Sequence, residues 1–366
     1  MVAKPPFLPT FGNKPYKIIG RDAVLEGFLK GLESVPGHPD RAMLIIGQRG
    51  MGKTALLLEF AELAERRGFI VASAVDNDQM LDDILQGVQR KGTPFIPERK
   101  PLVQGFTAGA LGFSIGLTFN EVTDKTFGFR IKLSMLCEEL EKHGKGVLVL
   151  VDEVQPDTMR MRELATSYQH LVGEGRNIVI AMAGLSHSIS SVLNDKILTF
   201  LNRARKTRLD MLSDTSVRLH FAKTFKSLNK EIDQEALDDA VAATRGYPYL
   251  LQLVGYYILE YLGDDDNITR AIVANAAEVS RQDMADNVYK AVLNPLSAAD
   301  IRFLEAMAQD DGPSRISDIQ ERIGESQAYT QVYRRRLLES GVVASEQRGE
   351  LNLTVPFMAE YLRTRP

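Results

Sequence analysis

Gly47-Gln48-Arg49-Gly50-Met51-Gly52-Lys53-Thr54 decides how the chain is read. The stretch fits G-x-x-x-x-G-K-[ST] and stands between an apolar run at residues 43–46 and a helical pattern beginning near Ala55. Glycines let the backbone curl until several N–H groups point at one spot, and the helix that follows adds its positive end. A phosphate is the ligand such a loop suits. In that setting Lys53 is expected to reach the β and γ phosphates of ATP, and the Thr54 hydroxyl to ligate Mg²⁺. A glycine turn that binds nothing is the plain alternative, and a second motif argues against it.

Working outward, apolar runs of strand length occupy residues 43–47, 69–75, 147–151, 178–183 and 207–212, with amphipathic helical stretches between them. That alternation predicts an α/β unit with a parallel sheet covered on both faces. The third run ends in Asp152-Glu153. A buried strand has no use for adjacent carboxylates except at its carboxyl end, where an open sheet places its ligands. Asp152 is expected to hold the Mg²⁺, directly or through water. Glu153 is expected to orient or deprotonate an attacking water, a role contributing about 10²- to 10⁴-fold in rate; a solvated loop acid is the alternative.

A chain of 366 residues exceeds one ordinary core and predicts two or three units. The α/β pattern fills 1–212, and helical periodicity then dominates over 213–294. Asn294-Pro295 marks a break before a third unit at 295–366. One segment, about 91–124, interrupts the α/β pattern. There Leu111, Phe113, Ile115, Leu117 and Phe119 alternate with small and polar residues, which predicts an inserted hairpin. It would either extend the sheet or touch a neighbouring subunit or nucleic acid.

In the third unit, residues 297–309, 316–323 and 327–340 read as helices and 342–354 as a short wing, the winged helix-turn-helix pattern. Its third helix carries Gln327, Tyr329, Thr330, Tyr333, Arg334 and Arg335, residue types that contact phosphates and base edges, so double-stranded DNA is an expected partner. Arg334, Arg335 and Arg336 fan out over about 200° of helix, so two at most share a face. The alternative is a protein-binding winged helix whose arginines are solvated or paired with Glu339. A net charge of -4 supplies no global attraction to DNA, so any contact must be local.

The single cysteine, Cys137, excludes an internal disulfide framework and CxxC zinc spacings, and fits a reducing cytoplasm. The five histidines are scattered, which argues against a transition-metal site. The first 20 residues carry no signal-peptide pattern. Residues 102–119 are apolar enough to be weighed as a membrane span, but their glycines, hydroxyls and Gln104 argue against it.

With both acidic and glycine-rich motifs present, the flanking residues resemble the AAA+ superfamily, and within it the archaeal-type and STAND-related ATPases. Ile18-Ile19-Gly20-Arg21-Asp22 resembles the box that precedes the phosphate loop there, which implies that Ile19, Gly20 and Arg21 lie near the base. Asp22 alternatively opens a helix, its charge favouring the positive end. By the same likeness Ser186, after the fourth strand, would sense the γ-phosphate. Arg203 or Arg205 would be an arginine finger reaching a neighbouring subunit, which implies self-association through the ATP sites. Gly246 and Pro248 resemble the GxP element of a helical lid over the nucleotide; helix capping alone would also explain them. The whole resemblance implies a P-loop NTPase parallel sheet with a helical lid domain and a C-terminal winged helix. It implies an ATP-hydrolysing switch on DNA, similar to origin-recognition-type initiators or transposition-helper ATPases. A STAND-like regulator that binds a protein partner is the other reading.

Overall fold

The computed structural model describes residues 5–9, 14–96, 127–156, 158–345 and 347–365. A sheet of five strands runs through the first unit: β1 (Ala42–Ile46), β2 (Phe69–Val75), β3 (Gly146–Val154), β4 (Ile178–Gly184) and β5 (Arg205–Arg208), in the order β2-β3-β4-β1-β5. All its pairings are parallel. Parallel neighbours need crossover connections, and here these are helices on both faces. Alternation along β1 explains why its run is apolar throughout: Met43 and Ile45 enter one core with Phe28 and Phe60, while Leu44 and Ile46 enter the other with Leu133 and Tyr168. Phe28 and Phe60, from helices Asp22–Glu33 and Lys53–Arg66, stack with centroids 3.9 Å apart. Helices Met80–Gly92, Phe129–Glu141 and Met159–Gly173 cover the opposite face.

Two expectations about this unit change. The fifth strand lies at Arg205–Arg208 rather than 207–212, because residues 205–208 are the ones in register with Met43–Ile46. The apolar residues that follow leave the sheet: Leu212 donates its N–H to the Gly246 carbonyl, 2.7 Å away in the next unit. Residues 91–96 finish the Met80–Gly92 helix and a 3-10 turn, Thr93–Phe95, so they begin no hairpin. The alternating stretch 111–119 lies outside the described residues.

Helices Asp214–Ser227, Gln234–Thr244, Pro248–Leu262 and Arg270–Met284 pack around Phe221, Phe225, Val254 and Ile258. This region is not wholly helical. Glu231–Ile232 and Asn267–Ile268 form a short parallel pair just ahead of the N-caps Asp233 and Thr269. Phe7, from far away in sequence, fills the middle of the bundle, with its ring centroid 5.7 Å from that of Phe221 and 5.9 Å from that of Phe225. A Cβ on Gly255 would run into that ring.

Beyond Pro295, helices Ala298–Met307, Ile316–Ile323 and Gln327–Glu339 surround Phe303, Leu304, Ile319 and Leu337. Strands Ser314–Arg315, Glu350–Leu353 and Val343–Ala344 form a small antiparallel sheet, and a further helix, Met358–Thr364, was not legible in the sequence. Tyr289 and Leu250 make this core continuous with one face of the large sheet. No helix among the described residues is long and apolar enough to cross a membrane.

Phe7→Ala empties a site bordered by His220, Phe221, Phe225 and Gly255. Urea denaturation should show a loss of about 3–5 kcal/mol; a loss under about 1 kcal/mol would mean that the ring is dispensable to the bundle.

Candidate active site

After β1 the backbone turns through Gly50 at φ +71° and Gly52 at φ +83°, left-handed values that a Cβ opposes. The following helix starts at Lys53, a turn's fraction earlier than the pattern indicates. The half-buried Lys53 ammonium sits in the loop and donates to the carbonyls of Gly47 (2.9 Å) and Gln48 (2.8 Å). Burial lowers its pKa to about 8, opposed by the nearby Asp152 carboxylate. Three loop residues serve other parts of the fold. The Met51 side chain is buried in the core, the Gln48 side chain lies against Gly341 of the C-terminal unit, and the Arg49 carbonyl accepts a hydrogen bond from the Tyr247 hydroxyl at 2.8 Å.

β3 carries a bulge where it delivers its acids. Val151 stands opposite Met182 and Val154 opposite Gly184, so β3 has one residue more than β4 over that interval. Glu153 absorbs the irregularity with φ +53°. The Thr54 hydroxyl then donates to Asp152 Oδ2 at 2.6 Å, and the other Asp152 oxygen accepts from the Glu153 N–H at 2.9 Å. Behind them Asp76, buried at the end of β2, accepts from the Gln155 N–H (2.9 Å) and the Thr158 hydroxyl (3.1 Å) and pins the segment after the bulge. Burial raises the Asp76 pKa.

Lys53, Thr54, Asp152, Glu153 and Gln155 line a cleft of about 520 Å³ between the carboxyl ends of the strands, the helical bundle and the segment Ala285–Tyr289. Ile18, Ile19, Arg21, Pro248 and Gln252 form its far wall. Arg21 is turned toward the backbone and donates to the Asp210 carbonyl at 2.6 Å. Gly20 and Gly246 stand back from the cleft, both with positive φ. Gly20 packs on Leu212, and Gly246 lies so close to the Leu212 carbonyl that a Cβ would collide with it.

Ser186 does not line the cleft. It opens helix Ser186–Asn194, and the turn of that helix carries His187 and Ser188 to the cleft instead. His187 is held toward its neutral form by burial. Arg205 lies on β5 rather than before it; it pairs with Asp40 at 3.0 Å and presses on Gly27, so its own subunit holds it. Arg203 is exposed and has no ion-pair partner among the described residues.

On helix Gln327–Glu339, Gln327 and Arg335 are exposed while Tyr329, Tyr333 and Arg334 are half-buried. Thr330 is fully buried and donates to the Ser326 carbonyl at 3.1 Å, which withdraws it from any surface contact. Arg335 reaches Glu339 at 4.0 Å, and Arg336 pairs with the buried Asp300 at 2.9 Å. Tyr247, Gln252, Asp76 and His187 were not legible as site residues. The one available signal was Tyr247's place between Gly246 and Pro248, and a buried tyrosine reads equally well as core.

A family model described as an ATPase domain predominantly from Archaea matches residues 26–254, well over half of the chain. The chain belongs to this archaeal ATPase-domain family. The family's reaction is ATP hydrolysis, and Lys53, Thr54, Asp152 and Glu153, which line the cleft, lie within the matched residues. A second model, for a domain of unknown function, matches residues 286–362. Among solved structures, a Walker-type ATPase of Pyrococcus abyssi superposes with a TM-score of 0.68 at 17% identity, covering 96% of this chain and 97% of that one. The ORC2 protein of Aeropyrum pernix, in its ADPNP-ADP complexes, gives 0.62 at 15% identity, covering 97% and 94%. Cdc6p from Pyrobaculum aerophilum gives 0.51 at 14% identity, covering 97% and 96%. These likenesses extend the shared fold over almost the entire ATPase, including its C-terminal unit. A search of curated proteins finds no match.

The lowered Lys53 pKa has a measurable consequence for this archaeal-type ATPase. If Lys53 holds phosphate it does so as the ammonium, and that form is depleted as pH rises through about 8. ADP affinity should be flat below that pH and fall above it by up to about tenfold per unit. Calorimetric titration from pH 7 to 9.5 would read the slope, and Lys53→Arg, charged throughout, should flatten it.

Proposed function

We propose that this ATPase is a nucleotide-driven switch whose C-terminal unit, a winged helix, assembles on duplex DNA. The observation that carries the catalytic part is the convergence of Thr54, Asp152, Lys53 and Glu153 on one cleft. Lys53 and the loop N–H groups would bind the β and γ phosphates, and Glu153 would accept the proton of the attacking water. A hydroxyl and a carboxylate side by side suit Mg²⁺, which takes its other oxygens from phosphate and water. Thr54 and Asp152 would hold the ion, and it would neutralise charge developing on the phosphate oxygens. Ile19, Arg21 and Pro248 would border the base. On this reading residues 1–212 bind and hydrolyse ATP, 213–294 form the lid and 295–366 contact the partner, in the cytoplasm.

The DNA part is supported by the three-helix and small-sheet arrangement and by the exposed Gln327 and Arg335, with Arg334, Tyr329 and Tyr333 beside them. A protein partner is the second reading, because residues 295–366 hold more acids than arginines and no lysine. Val332 is also 45% exposed on the same helix, apolar surface that DNA does not need.

ATP turnover by the wild type and by Glu153→Gln, with and without duplex DNA at low and high salt, separates these. The variant should lose about 10²- to 10⁴-fold in kcat while still binding ATP. DNA should bind with an affinity that falls steeply with salt and should raise turnover; turnover indifferent to DNA, with no salt-dependent binding, would favour the protein partner. If subunits complete one another's sites, Arg203→Ala should lower turnover only at concentrations where the protein assembles, whereas Arg205→Ala should chiefly lower stability. A specific activity that does not vary with protein concentration would count against Arg203.

A further inference from the structure

The phosphate loop is anchored from outside. Tyr247 is fully buried at the start of helix Pro248–Leu262, and its hydroxyl donates to the Arg49 carbonyl at 2.8 Å. The ring lies flat against Gly50, where an added Cβ would run into the hydroxyl itself. Two consecutive left-handed residues, Arg245 at φ +45° and Gly246 at φ +67°, turn the chain so that the tyrosine points at the loop. Because the peptide joining Arg49 to Gly50 is planar and trans, its C=O and N–H point in opposite directions. With the Arg49 carbonyl committed to the Tyr247 hydroxyl, the Gly50 N–H of the same peptide points the opposite way. Gly50 lines the cleft, and its N–H has no protein acceptor among the described residues.

We infer that Tyr247 is a positioning residue for phosphate: its hydroxyl fixes the Gly50 N–H toward the nucleotide and ties that donor to the position of the lid. The inference rests on the reading of residues 47–54 as the phosphate site. Any movement of helix Pro248–Leu262 that withdraws the hydroxyl frees the peptide to rotate, so the lid's position sets how well the loop binds phosphate. The dependence runs both ways, since a phosphate held by Gly50 favours the lid conformation that keeps the Tyr247 bond.

The test compares ADP with adenosine, which lacks the phosphates, by calorimetry on the full chain. Wild type should bind ADP far more tightly. Tyr247→Phe keeps the ring and drops the donor; its ADP affinity should fall about tenfold, with adenosine affinity unchanged. To guard against poor folding of that variant, 4-fluorophenylalanine at 247 fills the hydroxyl's space without a donor, and 4-aminophenylalanine restores one. The first should behave as Tyr247→Phe and the second should recover ADP binding. Equal losses for ADP and adenosine, or no loss for ADP, would overturn the inference and leave Tyr247 a packing residue. A wild type that binds adenosine as tightly as ADP would instead sink the phosphate-site reading itself, and the inference with it.

Discussion

The Thr54 hydroxyl and the Asp152 carboxylate lie 2.6 Å apart although β4 separates the strands that deliver them. Everything chemical in this protein depends on that closure over the end of a strand. Two features make it possible. β4 ends in Gly184, whose carbonyl accepts the Gly47 N–H at 3.3 Å and whose missing side chain leaves room for Val154 and Ile189. β3 adds a bulged residue, which turns its acids out of the sheet at the level of the phosphate loop. Left-handed backbone occurs at Gly50 and Gly52, which adopt it freely, and at Glu153, which does not; the packed sheet on either side holds Glu153 in place.

The loop also serves as the junction of three units. Gly50, Gly52 and Lys53 line the cleft, while neighbouring positions also reach other parts of the fold: Gln48 meets Gly341, Arg49 meets Tyr247, and Met51 fills the core. A second set of contacts binds the lid to the C-terminal unit. The Tyr289 hydroxyl donates to the Pro356 carbonyl at 2.7 Å, and Arg245 pairs with Glu360 at 2.9 Å while stacking 3.8 Å from the Phe357 ring. The segment Ala285–Tyr289 is a π-helical turn whose Asn287 and Val288 line the cleft while Tyr289 holds the C-terminal unit. π turns concentrate at functional positions because they widen a helix locally and re-aim its side chains. A short path of packed atoms thus joins the cleft to the C-terminal unit.

Much of this was readable in the residues alone. The loop motif, the acids closing an apolar strand, and the alternation of strands with helices each follow from local rules: glycine permits positive φ, a carboxylate cannot end inside a sheet, and period distinguishes strand from helix. Boundaries were legible to within a few residues for β1, β2 and the helices 316–323 and 327–339. The fifth strand was misread because Leu209 and Leu212 are buried for a tertiary reason, Leu209 in the core and Leu212 at the seam with Gly246, rather than by pairing in the sheet. Thr330 was misread because one turn of helix decides between core and surface, and the pattern did not reveal which face Leu337 and Thr330 share.

The glycine-rich loop, the acids that close the apolar strand and the family to which the chain belongs were all legible in the residues alone, since each is written in spacing within a few residues. Only the tertiary structure decided which of two arginines is free, that Ser186 turns away while His187 faces the cleft, and that Phe7 and Tyr247 anchor the lid. Those facts depend on contacts between residues as far apart as Phe7 and Gly255, or Arg49 and Tyr247. No local pattern encodes a distance of that kind, because it is fixed by how the cores pack rather than by which residues adjoin along the chain.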